Sequence, residues 1–155
     1  MRILLVEDGE FTRRVTAGAF SGISADIDYA QTVDDACIKA KKGYDMILLS
    51  SNLDYQHIVH RIRLNETRRN FIVLTVFDKA NCYETIGIDM ICGKPLNNKD
   101  IKHIIDIKVK NEKSIFCKAG FTTFKLNYAS NSAVNCRGTV STSDVVPMWE
   151  LDSNL

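Results

Sequence analysis

Short apolar runs alternate with amphipathic segments over the first 111 residues. One of these runs, "ILLV" (3–6), is continuously apolar, as expected of a strand that is covered on both faces, and "FIVLT" (71–75) predicts another strand. The alternating run "ADIDYA" (25–30) and the runs "DMILL" (45–49) and "DMIC" (89–92) predict three more strands. The pattern therefore predicts five strands separated by helices.

Three of the segments next to these strands carry apolar residues at helical spacing, and a fourth, "TVDDACIKAKKG", has helix-capping and end-charge signals. Thr32 is predicted to cap the second helix, and Gly22 and Gly43 are predicted to end the first and second helices. The apolar stripes are predicted at Phe11, Val15, Ala19 and Phe20 in the first helix, at Ile58, Val59 and Ile62 after the third strand, and at Ile101, Ile104 and Ile105 in the last helix.

Alternation of this kind predicts an α/β domain over residues 1–111, a doubly wound five-stranded parallel sheet with helices on both faces. Residues 112–155 differ, because "FTTFKLNY" and "SAVNCRG" are short Thr- and aromatic-containing runs separated by a turn-like cluster. They predict a small antiparallel β appendage.

Charge, hydropathy and cysteine spacing limit the classes of function that the chain is expected to have. The formal net charge is +1, which gives no global electrostatic reason to bind nucleic acid or a membrane. No apolar stretch approaches the roughly 20 residues that span a bilayer, and no signal peptide is visible. The five cysteines are widely spaced without a C-x-x-C pair, which favours free thiols in a reducing cytoplasm.

Residues with ionisable or hydroxyl side chains lie at the carboxyl ends of four of the predicted strands. Glu7 and Asp8 come after the first strand, Ser50 after the third, and Lys94 after the fifth, while Thr75 ends the fourth. Because ligands in doubly wound sheets bind outside the carboxyl ends of the strands, an acidic pair, two hydroxyls and a lysine are expected to converge there.

The motifs "RILLVEDGE", "YDMILLSSNL", "FIVLT" and "GIDMICGKPL" occur in this order, and with them residues 1–107 resemble a response-regulator receiver domain of the OmpR type. The resemblance implies that Glu7 and Asp8 match the acidic Mg²⁺ ligands, that Thr75 matches the hydroxyl that contacts the phosphoryl group, and that Lys94 matches the lysine that pairs with it. Ser50 falls on the position of the phosphate-accepting aspartate.

Serine at this position changes the expected chemistry. An acyl phosphate needs a carboxylate nucleophile and a metal, so we expect a pseudo-receiver that is not an enzyme and has no cofactor, with at most weak Mg²⁺ binding by Glu7 and Asp8. Asp54 lies about one helical turn further on and is not expected to substitute. A competing hypothesis keeps Mg²⁺ binding and phosphorylates Ser50 itself.

Besides Ser50, the sequence departs from the family pattern in two further ways. Ile91 stands where the family usually has an aromatic switch residue, and the stretch from Thr75 to Lys94 is short, so the fourth helix ("KANCYETI", 79–86) is predicted to lose about one turn. Lys94 is expected to pair with Asp8 and mimic the active arrangement. Alternatively, these residues are remnants that only stabilise the fold.

By the same resemblance, the expected function is phosphorylation-independent signalling in the cytoplasm through protein contacts. The chain would form a homodimer, or a heterodimer with another response regulator, through its fourth helix, fifth strand and fifth helix, and a histidine kinase or phosphotransfer protein is a further candidate partner. Charged candidates on that surface are Asp89, Lys99, Asp100, Lys102 and Asp106.

The C-terminal segment loosely resembles the opening sheet of an OmpR-type winged-helix domain, through Arg137-Gly138 and "STSDVV". The recognition helix and wing of such a domain are not found, so sequence-specific DNA binding is not expected. The alternative function is a transcription regulator that contacts DNA through this segment. His57 and His60, and the arginines of residues 61–69, are interpreted as solvated helix faces rather than ligand sites.

Overall fold

The structure is a computed structural model that describes residues 1–117 and 127–128. The strands and helices follow one another along the chain in this order: β1 (Arg2–Val6), α1 (Glu10–Gly18), β2 (Asp26–Ala30), α2 (Val33–Ala40), β3 (Met46–Ser50), α3 (Tyr55–Asn65), β4 (Phe71–Val76), β5 (Met90–Gly93), α4 (Asn98–Cys117) and β6 (Asn127–Tyr128).

All described strands pair in parallel, in the order β2-β1-β3-β4-β5-β6. This order confirms the predicted doubly wound α/β fold, in which the chain winds from β1 to one edge and then to the other. The register places Ser50 beside Thr75 at the carboxyl ends of β3 and β4. These strand ends meet at one edge of the sheet, where a site is expected.

Two apolar layers cover the sheet, one on each face. The layer on one face packs α2 and α3 against alternate residues of the strands, including Leu49 and Leu74. The opposite layer packs α1 and α4 against residues such as Leu48 and Val73. Most predicted stripe residues are buried in these layers, including Ile58, and the Thr32 cap is also confirmed because its hydroxyl accepts from the Asp35 amide at 3.2 Å.

The predicted stripe of the first helix is wrong at Phe11, whose side chain is 79% exposed. The predicted stripe residues Ala19 and Phe20 are buried, and Thr16, which was not predicted, is buried with them. Since each helical residue turns the chain by about 100°, Phe11 lies about 140° around α1 from Thr16 and faces away from the sheet.

The predicted fourth helix is also wrong, because no helix lies between β4 and β5. We call the 13 residues that connect these strands, residues 77–89, the β4–β5 crossover. Residues 79–86 include Asn81, Cys82, Tyr83 and Thr85, which are poor helix formers. Local hydrogen bonds to Asp78 hold the start of the crossover instead, from the Ala80 amide and the Tyr83 hydroxyl, each at 2.8 Å.

Arg63 of α3 fastens the end of the β4–β5 crossover. Its guanidinium donates to the carbonyl of Gly87 at 2.7 and 2.9 Å, and to the Asp89 carboxylate at 2.8 Å. The same group donates to the Asn70 carbonyl at 2.8 Å and to both Glu66 oxygens at 3.0 Å. One partly buried side chain therefore replaces much of the attachment that a helix would have provided.

The C-terminal part differs from the prediction in two ways. Helix α4 runs through the predicted domain boundary at residue 111 and ends at Cys117. Asn127 and Tyr128 pair with Met90 and Ile91 in parallel, so these two residues extend the main sheet and do not belong to an antiparallel appendage. A sixth strand satisfies edge groups of β5 that would otherwise be unpaired. The rest of the predicted appendage lies outside the described residues.

Candidate functional site

Four strand ends bring the candidate site together, as the sequence predicts. Glu7 directly follows β1, Ser50 and Thr75 lie at or near the ends of β3 and β4, and Lys94 directly follows β5. Glu7, Ser50 and Thr75 are all buried. Because the strands on which they lie are fixed by the central sheet, the side chains meet without help from a flexible loop.

Lys94 occupies the centre of the site. Its ammonium nitrogen Nζ donates to Glu7 Oε2 at 2.5 Å and to Ser50 Oγ at 2.7 Å. The side chains of Lys94 and Glu7 are 1% and 2% exposed, so the pair is withdrawn from water. We call these three residues the Lys94 bridge.

The predicted Lys94–Asp8 pair is wrong, because Glu7 takes this role. The Glu7 amide still donates to the Ala30 carbonyl at 3.0 Å, which continues the β1 pairing by one residue. Successive side chains of an extended chain point in opposite directions, so Glu7 points into the site and Asp8 is exposed. The second carboxylate oxygen of Glu7 accepts from the Gly9 amide at 3.1 Å.

Ser50 is poorly placed to act as a nucleophile. Its Oγ accepts hydrogen bonds from Lys94 at 2.7 Å and from the Asn52 amide at 3.3 Å. A hydroxyl oxygen has two lone pairs, and both are engaged here. The neighbouring Lys94 is ion-paired with Glu7 and donates, so it is not arranged as a base that could remove the serine proton.

Thr75 lies in the site but does not join the Lys94 bridge. Its hydroxyl donates to the Leu49 carbonyl at 3.2 Å, across the β3–β4 pair. The sequence predicts that Thr75 converges with Lys94, and the strand register does bring them to the same edge. The hydroxyl is directed along the sheet, however, so a ligand in the site would meet it only after the side chain rotated.

Two residues of the β4–β5 crossover close the mouth of the site and were missed by the sequence analysis. The Lys94 Nζ atom lies 4.4 Å from the centroid of the Phe77 ring, a cation–π contact. The Lys79 side chain lies over Gly93, in the space that a Cβ atom would occupy. Phe77 follows β4 directly, so its position after a strand end was the available signal.

The geometry does not fit the Mg²⁺ that the resemblance implies. No cluster of three or more His, Cys, Asp or Glu residues that could hold a metal occurs in the part of the chain described. Oε2 of Glu7 is bonded to an ammonium group, which occupies the side from which a cation would approach. Ser50 supplies a neutral oxygen where a third carboxylate would be needed to favour a hard divalent ion.

Ile91 and Asp54 are both integrated into the fold. Ile91 is partly buried and packs against the same apolar layer as Tyr55 and Tyr83, which stack edge to face at 6.4 Å. Asp54 accepts from the His57 amide at 3.2 Å and caps α3. Asp54 is therefore not directed at the site, in agreement with the sequence expectation.

The candidate dimer-surface charges fall into two groups. Lys99, Lys102 and Asp106 are exposed on α4, while Asp100 accepts from the Asn97 amide at 2.9 Å and caps that helix. Asp89 is different, because its carboxylate is bound within the molecule.

Asp89 accepts from Arg63 at 2.8 Å, from Arg69 at 2.6 Å and from the Ile72 amide at 2.8 Å. These contacts bind the Asp89 carboxylate within the protein, so it is not available to a partner. The interpretation of the arginines as a solvated helix face is therefore wrong for Arg63 and Arg69, which pair with Asp89, while Arg68 pairs with Asp45 at 3.2 Å. His57 and His60 are exposed on α3.

Comparisons with known proteins agree with this fold. No protein-family model matches the sequence, and no curated protein matches it. Among solved structures, a CheY-like response regulator receiver domain from Methylobacillus flagellatus superposes with a TM-score of 0.63 and 18% identity, covering 70% of this chain and 98% of the other. A two-component response regulator from Clostridium difficile gives a TM-score of 0.61 and 21% identity, covering 72% and 98%.

A third match is the receiver domain of a sensor histidine kinase from Pseudomonas aeruginosa PAO1, with a TM-score of 0.61 and 24% identity, covering 70% of this chain and 97% of the other. That structure holds a magnesium ion in its active site cleft. The chain therefore has the flavodoxin-like fold of receiver domains. Within the described residues, no helix has the length and apolar character needed to span a membrane.

Proposed function

We propose that this protein is a signalling module with a receiver fold that acts through protein contacts and does not accept a phosphoryl group. It would belong to a two-component-type regulatory pathway in the cytoplasm. The receiver domains to which it is similar in fold come from response regulators and a sensor histidine kinase. The observation that carries the proposal is the Lys94 bridge.

In the Lys94 bridge, the Glu7 carboxylate provides Lys94 with the negative partner that a phosphoryl group would otherwise provide. An acyl phosphate would form by attack of a carboxylate oxygen on phosphorus, with loss of the donor's leaving group, and Ser50 has no carboxylate. In its place, the ammonium of Lys94 is already neutralised by Glu7 and bonded to Ser50. No covalent event is needed to hold Lys94 in position, so the proposed signalling state is permanent.

The absence of a helix between β4 and β5 reduces the surface on which partners are proposed to dock. A face built on a fourth helix is not available, because the β4–β5 crossover has no helix. The exposed charges of α4 remain, with Lys99 and Lys102 positive and Asp106 negative. We propose that a second copy or another response regulator docks on this helix. Charge pairs would set partner choice more than affinity.

Acetyl phosphate tests the chemical part of the proposal. The protein is incubated with acetyl phosphate and Mg²⁺ and examined by intact mass spectrometry, beside a receiver domain that retains its acceptor aspartate. The control domain should gain a phosphoryl group, and this protein should not. A stoichiometric adduct located on Ser50 by fragmentation would overturn the proposal. Such a phosphoserine would survive neutral hydroxylamine, whereas an acyl phosphate on a carboxylate would be cleaved by it.

A further inference from the structure

The Lys94 ammonium has three N–H donors, and a different group faces each of them. Two donors are taken by Glu7 Oε2 and Ser50 Oγ, at 2.5 and 2.7 Å from the nitrogen. The Phe77 ring lies over the same nitrogen, with its centroid 4.4 Å away, and is positioned to accept the third. Because Phe77 is itself 57% exposed, a single aromatic ring lies between the buried ammonium and water on this side.

The start of the β4–β5 crossover extends the cover that Phe77 provides. The end of the Lys79 side chain lies over Gly93, in the space that a Cβ atom of residue 93 would fill. Gly93 directly precedes Lys94 in the chain, so Phe77 and Lys79 cover neighbouring parts of one site. We call residues 77–79 the lid.

Tyr83 fastens the lid to α3 by two contacts of different kinds. Its hydroxyl donates to the carbonyl of Asp78, the middle residue of the lid, at 2.8 Å. Its ring packs edge to face on the ring of Tyr55, the first residue of α3, with the centroids 6.4 Å apart. The Tyr55 hydroxyl in turn accepts from the Glu84 amide at 3.1 Å, which holds the neighbour of Tyr83 as well.

The start of α3 is connected to the Lys94 bridge by the loop after β3. The Asn52 amide donates to Ser50 Oγ at 3.3 Å, and the Leu53 amide donates to the Ser50 carbonyl at 3.4 Å. The Tyr55 amide donates to the Leu53 carbonyl at 2.7 Å. With the lid contacts, these bonds close a ring of residues in the order Lys94, Phe77, Tyr83, Tyr55 and Ser50.

We propose that residues 77–79 act as a lid on the Lys94 bridge, and that Tyr83 is the latch that keeps the lid closed. Opening the lid is the route by which water and small ions reach the ammonium, since residues at the strand ends of the sheet hold its other two donors. Displacement of Tyr55 at the start of α3 would loosen the latch. This inference rests on the proposed function, because a lid regulates only a bridge that is formed.

Exchange of the Lys94 ammonium hydrogens with water measures the opening of the lid. The ¹⁵N-labelled full chain is compared with Tyr83→Phe, which removes only the hydroxyl that binds the Asp78 carbonyl. Exchange should become about fivefold faster, the change in an opening equilibrium that the loss of one hydrogen bond of ordinary net strength produces. Phe77→Ala removes the ring and should accelerate exchange by about tenfold or more. Amide exchange in β3 and β4 should not change, because local opening leaves the sheet folded.

Tyr29→Phe is the matched control, since Tyr29 is 41% exposed on β2 and lies outside the lid. It should leave exchange at Lys94 unchanged, and far-UV circular dichroism verifies that every variant is folded. A protected Lys94 that exchanges at the same rate in wild type and both lid variants would overturn the lid while leaving the bridge intact. An effect of Phe77→Ala alone, or equal acceleration in Tyr29→Phe, would overturn the role of Tyr83 as the latch. An ammonium that is unprotected in the wild type would overturn the bridge itself, and with it both proposals.

Discussion

Replacing Lys94 by Met is expected to lower the free energy of unfolding by about 3–5 kcal/mol, the usual cost of removing one partner of a buried ion pair. The substitution retains most of the side-chain volume, so packing changes contribute little. Glu7 would keep the hydrogen bond from the Gly9 amide but lose its countercharge while remaining buried. Urea denaturation followed by circular dichroism measures the change.

Two variants make this measurement specific. Lys102→Met removes an exposed lysine from α4 and should change stability by less than about 0.5 kcal/mol. The double variant Glu7→Gln with Lys94→Met removes both charges and should recover most of the loss, because no unpaired ion is then buried. A Lys94→Met protein as stable as Lys102→Met would show that the bridge is not formed in solution.

Replacing Arg63 by Met is expected to cost about 3 kcal/mol, since buried acceptors left without a donor each lose about 1–3 kcal/mol. The Gly87 and Asn70 carbonyls would lose the guanidinium donor, and Asp89 would lose one of its two arginines. The loss should be largest in the β4–β5 crossover. Hydrogen exchange of residues 77–89 should therefore accelerate more than exchange in the central strands.

Arg61→Met provides the control on the same helix, because Arg61 is exposed and two residues away from Arg63. Its effect should stay within about 0.5 kcal/mol. Equal losses in both variants would mean that any arginine of α3 contributes through general charge, and that Arg63 does not hold the crossover. Unchanged exchange of residues 77–89 in Arg63→Met would lead to the same conclusion.

The order of strands and helices could be predicted because the pattern of buried residues along the sequence differs between strands and helices. The strands β3 and β4 are buried along their whole length, and their continuous apolar runs indicate this directly. Ile58, Val59 and Ile62 likewise repeat at helical spacing and are buried in α3. These signals are local in sequence and need no knowledge of the neighbouring elements.

Several of the incorrect predictions have a different cause, because they depend on contacts between residues that are distant in sequence. Phe11 fits a helical stripe, but its exposure depends on the rotation of α1 against the sheet. The family resemblance predicts a helix over residues 79–86, but the segment is rich in poor helix formers and Arg63 binds the carbonyl of Gly87, just beyond it, from another element. The pairing of Asn127 with Met90 also joins segments far apart in sequence.

The sequence predicts which residues form the site, but not the hydrogen bonds between them. Glu7, Ser50, Thr75 and Lys94 follow the strand ends, so their convergence is a consequence of topology. Which of the two acidic residues meets Lys94 depends on the alternation of side chains after β1, and the predicted partner, Asp8, is wrong because Glu7 is bonded to Lys94. The direction of the Thr75 hydroxyl depends on one rotamer, for which the sequence carries no signal.

The lysine ammonium itself can be observed by ¹H–¹⁵N correlation spectroscopy of side-chain NH₃⁺ groups. Lys94 should give an ammonium signal that exchanges slowly with water, because its side chain is 1% exposed and donates to Glu7 and Ser50. The signal should vanish in Lys94→Met and stay unchanged when acetyl phosphate and Mg²⁺ are added. A Lys94 signal that shifts with the phosphoryl donor, or no protected ammonium at all, would contradict a permanently bridged site.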